Sequence, residues 1–211
     1  VFLWTNLPSS FKQLSKESIN KINNFKHKFD DKYVLKIKKI ESVTNHDVKA
    51  VEYFIAEFFN KDKVLKKYVH LIHFGLTSED INSLSYACLI KKGTLLLLNE
   101  TKEIQKTLKS YSKKWSKISF LARTHGQAAS PSTLGKEFKV FSSRLERELN
   151  LLKEIKPLAK FSGATGNFHT FQIVDDSVDW TKTNKKFLKQ FGIEQNLYTT
   201  QIEPHDWIAE V

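Results

Sequence analysis

Residues that break or cross-link secondary structure are scarce in this chain of 211 residues, which has seven glycines, four prolines and one cysteine. A single thiol cannot form an internal disulfide, and Cys88 lies within an apolar pattern. We therefore predict that Cys88 is a core residue in a protein of a reducing compartment. The shortage of glycine and proline favours long, uninterrupted helices.

Long hydrophobic runs are also absent. No apolar stretch reaches the roughly 18 to 20 residues that a helix needs to span a bilayer. The sequence does not open with a charged segment followed by an apolar one, which is the pattern of a secretory signal. We therefore expect a soluble protein of the cytoplasm.

Arginine is scarce among the basic residues. Only Arg123, Arg144 and Arg147 are arginines among 34 basic side chains, although the formal net charge is +11. Base recognition and bidentate phosphate binding favour arginine over lysine, and the lysines are spread over nearly every segment. The charge therefore predicts solvated lysine surfaces rather than a nucleic-acid interface, with a positive field that attracts small anionic substrates.

Apolar residues recur with the period of an α-helix. One face is formed by Val48, Val51, Ile55 and Phe58, a second runs at helical spacing from Leu134 to Leu152, and a third extends from Ile81 through Leu98 to Tyr111. No strict alternation of apolar and polar residues indicates a strand. The pattern predicts an all-α fold built as a bundle of long helices.

Most of the chain-breaking glycines lie in four polar segments, at 42–53, 73–84, 121–138 and 161–172. Three of these segments precede a predicted helix and offer capping residues, namely Thr44 or Asn45, Thr77 or Ser78, and Ser130 followed by Pro131. Capping alone explains these hydroxyl side chains.

Capping does not explain the histidines and carboxylates near the same helix starts, which are His46, Asp47, Glu79, Asp80 and His125. Helix amino termini present free N–H groups and a partial positive charge, so several of them together favour a ligand with phosphate or carboxylate groups. A histidine beside such a ligand can transfer protons near neutral pH. His46 and His125 are therefore candidates for acid–base chemistry or ligand contact, and a buried core histidine is the alternative for His125.

Other site types are weakly indicated. His70 and His73 have a spacing that allows a shared metal, but no second pair of ligands has suitable spacing, so we predict no metal site. The sequence has no GxSxG motif, no P-loop and no dinucleotide-binding fingerprint. These absences argue against the enzyme classes that such motifs define.

Four segments carry a family resemblance. They are TNHDVKAVEYF at 44–54, HFGLTSEDIN at 73–82, RTHGQAASPSTLGKE at 123–137 and YTTQIEPHDWIAE at 198–210. In this order and spacing they closely resemble the adenylosuccinate lyase family of the fumarase and aspartase superfamily, over roughly residues 35–211. Fumarases and argininosuccinate lyases have a related threonine–histidine stretch, but usually with leucine where this chain has Gly126.

The resemblance implies a mostly helical subunit whose long helices form a bundle in a homotetramer, with each active site built from three subunits. It implies two reactions, the elimination of fumarate from adenylosuccinate, which gives AMP, and from the succinyl-carboxamide ribotide of purine biosynthesis. No cofactor, nucleic acid or membrane is expected to take part.

The resemblance also implies roles for individual residues. His125 corresponds to the general acid that protonates the departing nitrogen, with Thr124 beside it. Thr77 and Ser78 correspond to contacts with a succinyl carboxylate, and Gln201 corresponds to a further substrate contact. The nucleotide part of the substrate is implied to lie against Asn45, His46 and Asp47.

The chain departs from the family pattern at both ends. Residues 1–34 match poorly, with no recognisable arginine–tyrosine phosphate contact at the start. The sequence stops at Val211 within an expected long helix, before the loop that carries the serine base. We therefore expect the front part of a lyase subunit, inactive by itself, with an N-terminal helical domain at 1–112 and the incomplete start of the central helical-bundle domain at 113–211.

Two other functions stay open at this point. Another fumarate-releasing lyase of the superfamily, such as argininosuccinate lyase or fumarase, has related motifs. A non-catalytic helical interaction module would show the same helical pattern.

Overall fold

Helices dominate the computed structural model, which describes residues 14–211. They are α1 Lys16–His27, α2 Asp31–Thr44, α3 Asp47–Asn60, α4 Ser78–Lys114, α5 Leu134–Glu154, α6 His169–Val174, α7 Trp180–Lys189 and α8 Asp206–Glu210, with a 3₁₀ helix at Leu65–Leu71. There are also an antiparallel hairpin, β1 Ser119–Thr124 and β2 Gln127–Thr133, and a short parallel pair, β3 Leu158–Ala159 and β4 Glu194–Gln195. The predicted class, a fold of long helices, is confirmed, whereas the hairpin was not predicted.

The chain forms two compact units. The first contains the described residues up to Ala87 together with Leu158–His205, and the second contains Cys88–Pro157 and Asp206–Val211. Both units are discontinuous in sequence. The predicted boundary after residue 112 divides the chain into continuous segments instead, and it stays a prediction.

Aromatic packing holds the first unit together. Its buried clusters include Leu14 with Phe59 and Leu65, and Phe168 with Phe171 and Trp180. Phe25 of α1 also stacks on Phe58 of α3, with ring centroids 4.0 Å apart. Helices as short as α6 are unstable alone in water, so these tertiary contacts account for their presence.

The junction between α2 and α3 differs from the predicted capping. Asn45 adopts a left-handed conformation with φ of 51° and closes α2, because its N–H donates to the carbonyl of Glu41. Asparagine tolerates this conformation better than most residues. The N-cap of α3 is His46, so the expected capping by Thr44 or Asn45 is wrong.

The buried face of α3 is also shifted from the predicted one. The helix lies where the apolar pattern places it, and Val48 is buried as expected. Its other buried residues are Ala50, Phe54 and Phe59, whereas Val51 is 37% exposed.

α5 begins later than predicted. Residues 127–133 form strand β2, and this strand contains Ser130 and Pro131, the expected helix start. Proline is tolerated because each strand of a two-stranded sheet has one edge without a hydrogen-bonding partner. The true N-cap is Thr133, whose hydroxyl accepts the N–H of Lys136 at 3.2 Å.

α4 is one helix of 37 residues and follows the predicted apolar pattern from Ile81 to Tyr111. Many of its apolar side chains are exposed, with Leu89 at 65% and Leu96 at 67%. Cys88 is a free thiol that is only partly buried, rather than the core residue that was expected. None of the helices within residues 14–211 is long and apolar enough to cross a membrane.

Gly135 lies in the first turn of α5 and packs against the backbone of Ser112 and Ser116 at the end of α4. Its N–H donates to the carbonyl of Trp115 at 2.9 Å, and an added β-carbon would collide with the carbonyl oxygen of Ser112 and the backbone of Ser116. We expect Gly135→Ala to destabilise the complete protein by about 1–3 kcal/mol, because overpacking against backbone cannot relax by rotamer changes. The melting temperature measures this loss.

Gly93 in α4 provides the matched control. A β-carbon at this position meets nothing within 4 Å among the described residues. Gly93→Ala should therefore raise stability by up to about 1 kcal/mol, because alanine loses less conformational entropy than glycine in a helix. Equal melting temperatures for the two variants would contradict the close packing at Gly135.

Candidate active site

The THGQ motif forms the turn of the hairpin in the second unit. Strand β1 ends at Thr124, strand β2 begins at Gln127, and these two residues pair across the strands. The connecting residues His125 and Gly126 have φ of 52° and 73°. A two-residue type I′ turn needs positive φ at both positions, and its twist matches that of the strands. The glycine of the motif is thus explained by backbone conformation.

His125 lies at the exposed tip of this turn, and Thr124 is exposed beside it. The alternative of a buried core histidine is therefore wrong. A β-carbon at Gly126 would meet none of the described residues within 4 Å, so the turn is open as well as tightly bent. The arrangement leaves the imidazole of His125 exposed to solvent.

In the first unit, His46 links the starts of α3 and α4. Its Nδ1 accepts the N–H of Lys49 at 3.3 Å and so caps α3. Its Nε2 lies 3.3 Å from Oγ of Ser78. The capping role of this histidine was not expected from the sequence.

Two more contacts lie at these helix starts. Asn82 donates from Nδ2 to Oδ2 of Asp47 at 3.3 Å, and Gln201 donates from Nε2 to Oγ1 of Thr77 at 3.4 Å. Five of the predicted site residues thus make contacts at these helix starts in the first unit, namely His46, Asp47, Thr77, Ser78 and Gln201, and Asn45 directly precedes His46 in the same unit. The other two, Thr124 and His125, belong to the second unit.

A wide, open cavity of about 740 Å³ adjoins the start of α3. It is lined by Lys38, Glu41, Ser42, Asn45, His46 and Asp47. Its polar lining and size suit a small polar ligand. Among residues 14–211, no group of three or more His, Cys, Asp or Glu residues is placed to hold a metal ion.

A buried ion pair supports the start of α4. Lys160 and Asp80 are both fully buried, and Nζ lies 2.8 Å from Oδ1. The carboxylate of Asp80 also accepts the backbone N–H groups of Thr77 at 2.8 Å, Ser162 at 2.9 Å and Gly163 at 3.1 Å. Asp80 therefore ties the loop that follows β3 to the first turn of α4.

His73 belongs to the same motif as Thr77 and Ser78 but contacts α3. Its Nδ1 lies 3.1 Å from Oε1 of Glu52, and its backbone is left-handed, with φ of 64°. Burial lowers the pKa of His73 below its usual value, while the charge of Glu52 raises it to a smaller extent. Desolvation of the charged ring is the physical cause of the net decrease.

The lowered pKa of His73 predicts an acid-sensitive contribution to stability. A histidine with a lower pKa when folded binds protons more readily when unfolded, so stability is lost as the pH falls below about 6.5. His73→Asn removes the proton-binding group, and asparagine tolerates the left-handed backbone at this position. The melting temperature of the variant should fall less than that of the wild type between about pH 7 and about pH 5. Equal decreases would contradict the burial of His73.

Residues 5–211 match a protein family described as lyase. The chain is 41% identical over 201 residues to adenylosuccinate lyase of Buchnera aphidicola subsp. Schizaphis graminum, which covers 95% of this chain and 44% of that protein. It is 45% identical over 184 residues to adenylosuccinate lyase of Legionella pneumophila (strain Corby). It is 41% identical over 184 residues to adenylosuccinate lyase of Escherichia coli K12. Each of these two alignments covers 87% of this chain and 40% of the relative. The chain thus spans less than half the length of these relatives.

Solved structures share the fold at lower sequence identity. A fumarate lyase from Mesorhizobium sp. BNC1 superposes with a TM-score of 0.75 at 17% identity, over 99% of this chain and 47% of that one. The β-carboxy-cis,cis-muconate cycloisomerase of Acinetobacter calcoaceticus sp. ADP1 superposes with a TM-score of 0.67 at 22% identity, over 87% of this chain and 41% of that one. With the family match over nearly its whole length, the chain belongs to the lyase family.

Proposed function

We propose that the complete protein is an adenylosuccinate lyase. It eliminates fumarate from adenylosuccinate to give AMP, and from the succinyl-carboxamide ribotide of purine biosynthesis. The observation that carries the proposal is the set of contacts at the start of α4, where His46 meets Ser78, Asp47 meets Asn82 and Gln201 meets Thr77. The relatives that are 41–45% identical to this chain are adenylosuccinate lyases.

The chemistry of the substrate fits this group of side chains. Adenylosuccinate carries one phosphate and two carboxylates, and the site offers hydroxyl, amide and imidazole donors beside two helix amino termini, which favour anions. We assign a succinyl carboxylate to Thr77 and Ser78 and a further substrate contact to Gln201. The nucleotide part is assigned to the cavity beside Asn45, His46 and Asp47, whose volume of about 740 Å³ admits a nucleotide.

Elimination needs an acid and a base. The departing nitrogen gains a proton while Cβ of the succinyl group loses one, and the electron pair of the broken C–H bond forms the double bond of fumarate. We assign the acid to His125, with Thr124 as its neighbour, because its ring is exposed at a two-residue turn. The base is assigned to the part of the enzyme outside this chain, so the 211 residues alone should not turn over substrate.

The proposed assembly is a homotetramer with active sites shared between three subunits. Exposed apolar residues on long helices support it, among them Leu89 and Leu96 of α4 and Phe141 and Leu151 of α5. Exposed apolar side chains in such numbers favour burial against other protein surfaces. We assign no cofactor, nucleic acid or membrane to the function, and we place the enzyme in the cytoplasm.

A substrate panel separates the proposal from the other functions. The complete protein should release fumarate from adenylosuccinate and from the succinyl-carboxamide ribotide, with kcat/KM at least about a hundredfold above that for argininosuccinate, a difference of roughly 2.7 kcal/mol in transition-state binding. Malate dehydration reports fumarase activity in the same assay. Preference for argininosuccinate or malate would reject the proposed substrate, and a tetramer inactive on all four would favour the interaction module.

A further inference from the structure

His205 lies between two carboxylates of the first unit. Its Nε2 is 2.8 Å from Oε1 of Glu79, and its Nδ1 is 3.1 Å from Oε2 of Glu203. Glu203 is buried, and its other oxygen accepts a hydrogen bond from Nδ2 of Asn196 at 2.8 Å. Both ring nitrogens thus lie within ion-pair distance of a carboxylate oxygen. The ring therefore connects the first turn of α4 with the segment that precedes α8.

The backbone at His205 is constrained as well. It has φ of 62°, in the left-handed region, and its N–H donates to Oε2 of Glu203 at 2.9 Å. The ring meets Tyr86 edge-on, with centroids 6.1 Å apart. A left-handed conformation in a residue other than glycine persists only where surrounding contacts hold it. The contacts with Glu203, Glu79 and Tyr86 meet that condition.

The same short segment carries Gln201. Its Nε2 lies 3.4 Å from Oγ1 of Thr77, in an exposed position, so this contact is too long and too solvated to fix the segment. The contact between His205 and Glu79 is shorter and only partly exposed, with side-chain exposures of 29% and 13%. Since Glu79 is two residues from Thr77, the segment from 201 to 205 meets the start of α4 at two points, and the contact of His205 is the shorter and less exposed one.

We propose that His205 is a positioning residue that holds Gln201 beside Thr77, acting through Glu79 and Glu203. The inference rests on the proposed function, in which Gln201 and Thr77 contact the substrate. His205 is not assigned a contact with substrate. Its contribution is to keep the amide of Gln201 where the succinyl group binds, so its loss weakens substrate binding more than it slows the chemical step.

His205→Asn tests the structural part of the proposal without substrate. Asparagine tolerates the left-handed backbone but is too short to contact both carboxylates. In the complete protein, hydrogen–deuterium exchange of the peptide that spans residues 197–205 should become about tenfold faster, because local opening becomes easier. His70→Asn makes the same exchange of side chains at an exposed histidine of the same unit and should leave the peptide unchanged.

Kinetics test whether the segment matters for substrate. His205→Asn should raise KM for adenylosuccinate about tenfold, with a smaller change in kcat. This pattern is expected when a variant loses an interaction that stabilises the bound substrate and the transition state equally. In a Gln201→Ala background, His205→Asn should have little further effect on KM, because the two residues act as one unit.

The outcomes separate this inference from the proposed function. Unchanged peptide exchange, an unchanged KM, or additive effects in the double-variant cycle would overturn the positioning role. A wild-type protein without lyase activity would count against the proposed function instead. The exchange measurement would then decide by itself whether His205 holds the segment, because it needs no substrate.

Discussion

Replacing His125 with alanine in the complete enzyme should lower kcat for adenylosuccinate by about two to four orders of magnitude, the range expected when a general acid is lost. The residue stands at the tip of a two-residue turn and is exposed, so its ring can reach a ligand without rearrangement of a core. In the proposed mechanism, the departing nitrogen gains a proton from His125 as the C–N bond breaks. Steady-state fumarate release measures the loss.

His125→Asn controls for damage to the turn. His125 has φ of 52°, and asparagine tolerates this backbone conformation better than alanine does. Both variants should lose kcat to a similar extent while they keep the melting temperature of the wild type and still bind substrate. Unchanged turnover in His125→Asn would remove the residue from the acid role.

Replacing Lys160 with methionine should destabilise the protein by about 3–5 kcal/mol, because it leaves the carboxylate of Asp80 buried without its charge partner. Both side chains have an exposure of 0%, so water cannot replace the missing ammonium group. Asp80 also accepts the backbone N–H groups of Thr77, just before α4, and of Ser162, in the loop after β3. Displacement of Asp80 would therefore loosen the start of α4. Melting temperature and soluble yield measure the effect.

Lys182→Met is the matched control, because the same substitution breaks a lysine–aspartate pair of similar length at the surface. Lys182 lies 3.0 Å from Asp179, with side-chain exposures of 85% and 50%. Exposed pairs of this kind contribute little to stability, so the control should melt within a few degrees of the wild type. Equal melting temperatures for the two variants would contradict the burial of the Lys160–Asp80 pair.

Helical periodicity was sufficient to predict the long helices. Apolar residues repeat at helical spacing over many turns in α4 and α5, and no other structure satisfies such a pattern. The hairpin at 119–133 left no comparable signal. Most residues on both of its strands are exposed, so alternation between a buried and a solvated face, the usual sign of a strand, is absent. The predicted start of α5 is consequently too early.

The sequence indicated which polar residues lie at the two helix starts, but not the contacts that hold these starts in place. The motifs identified the residues at the starts of α3 and α4, because their polar side chains interrupt apolar patterns. Lys160 is one of many lysines and pairs with Asp80 across 80 positions of sequence, so no local pattern distinguishes it. The role of His46 as a helix cap was missed because capping rules emphasise oxygen acceptors, whereas Nδ1 of an imidazole also accepts.

Product formation from adenylosuccinate by the purified complete protein tests the central claim most directly. The account predicts that AMP and fumarate appear in equal amounts at an enzymatic rate, and that His125→Asn, folded to the same melting temperature, forms them at least about a hundredfold more slowly. Adenylosuccinate left intact by a folded, assembled wild-type protein would contradict the account, as would products that form equally fast in the variant.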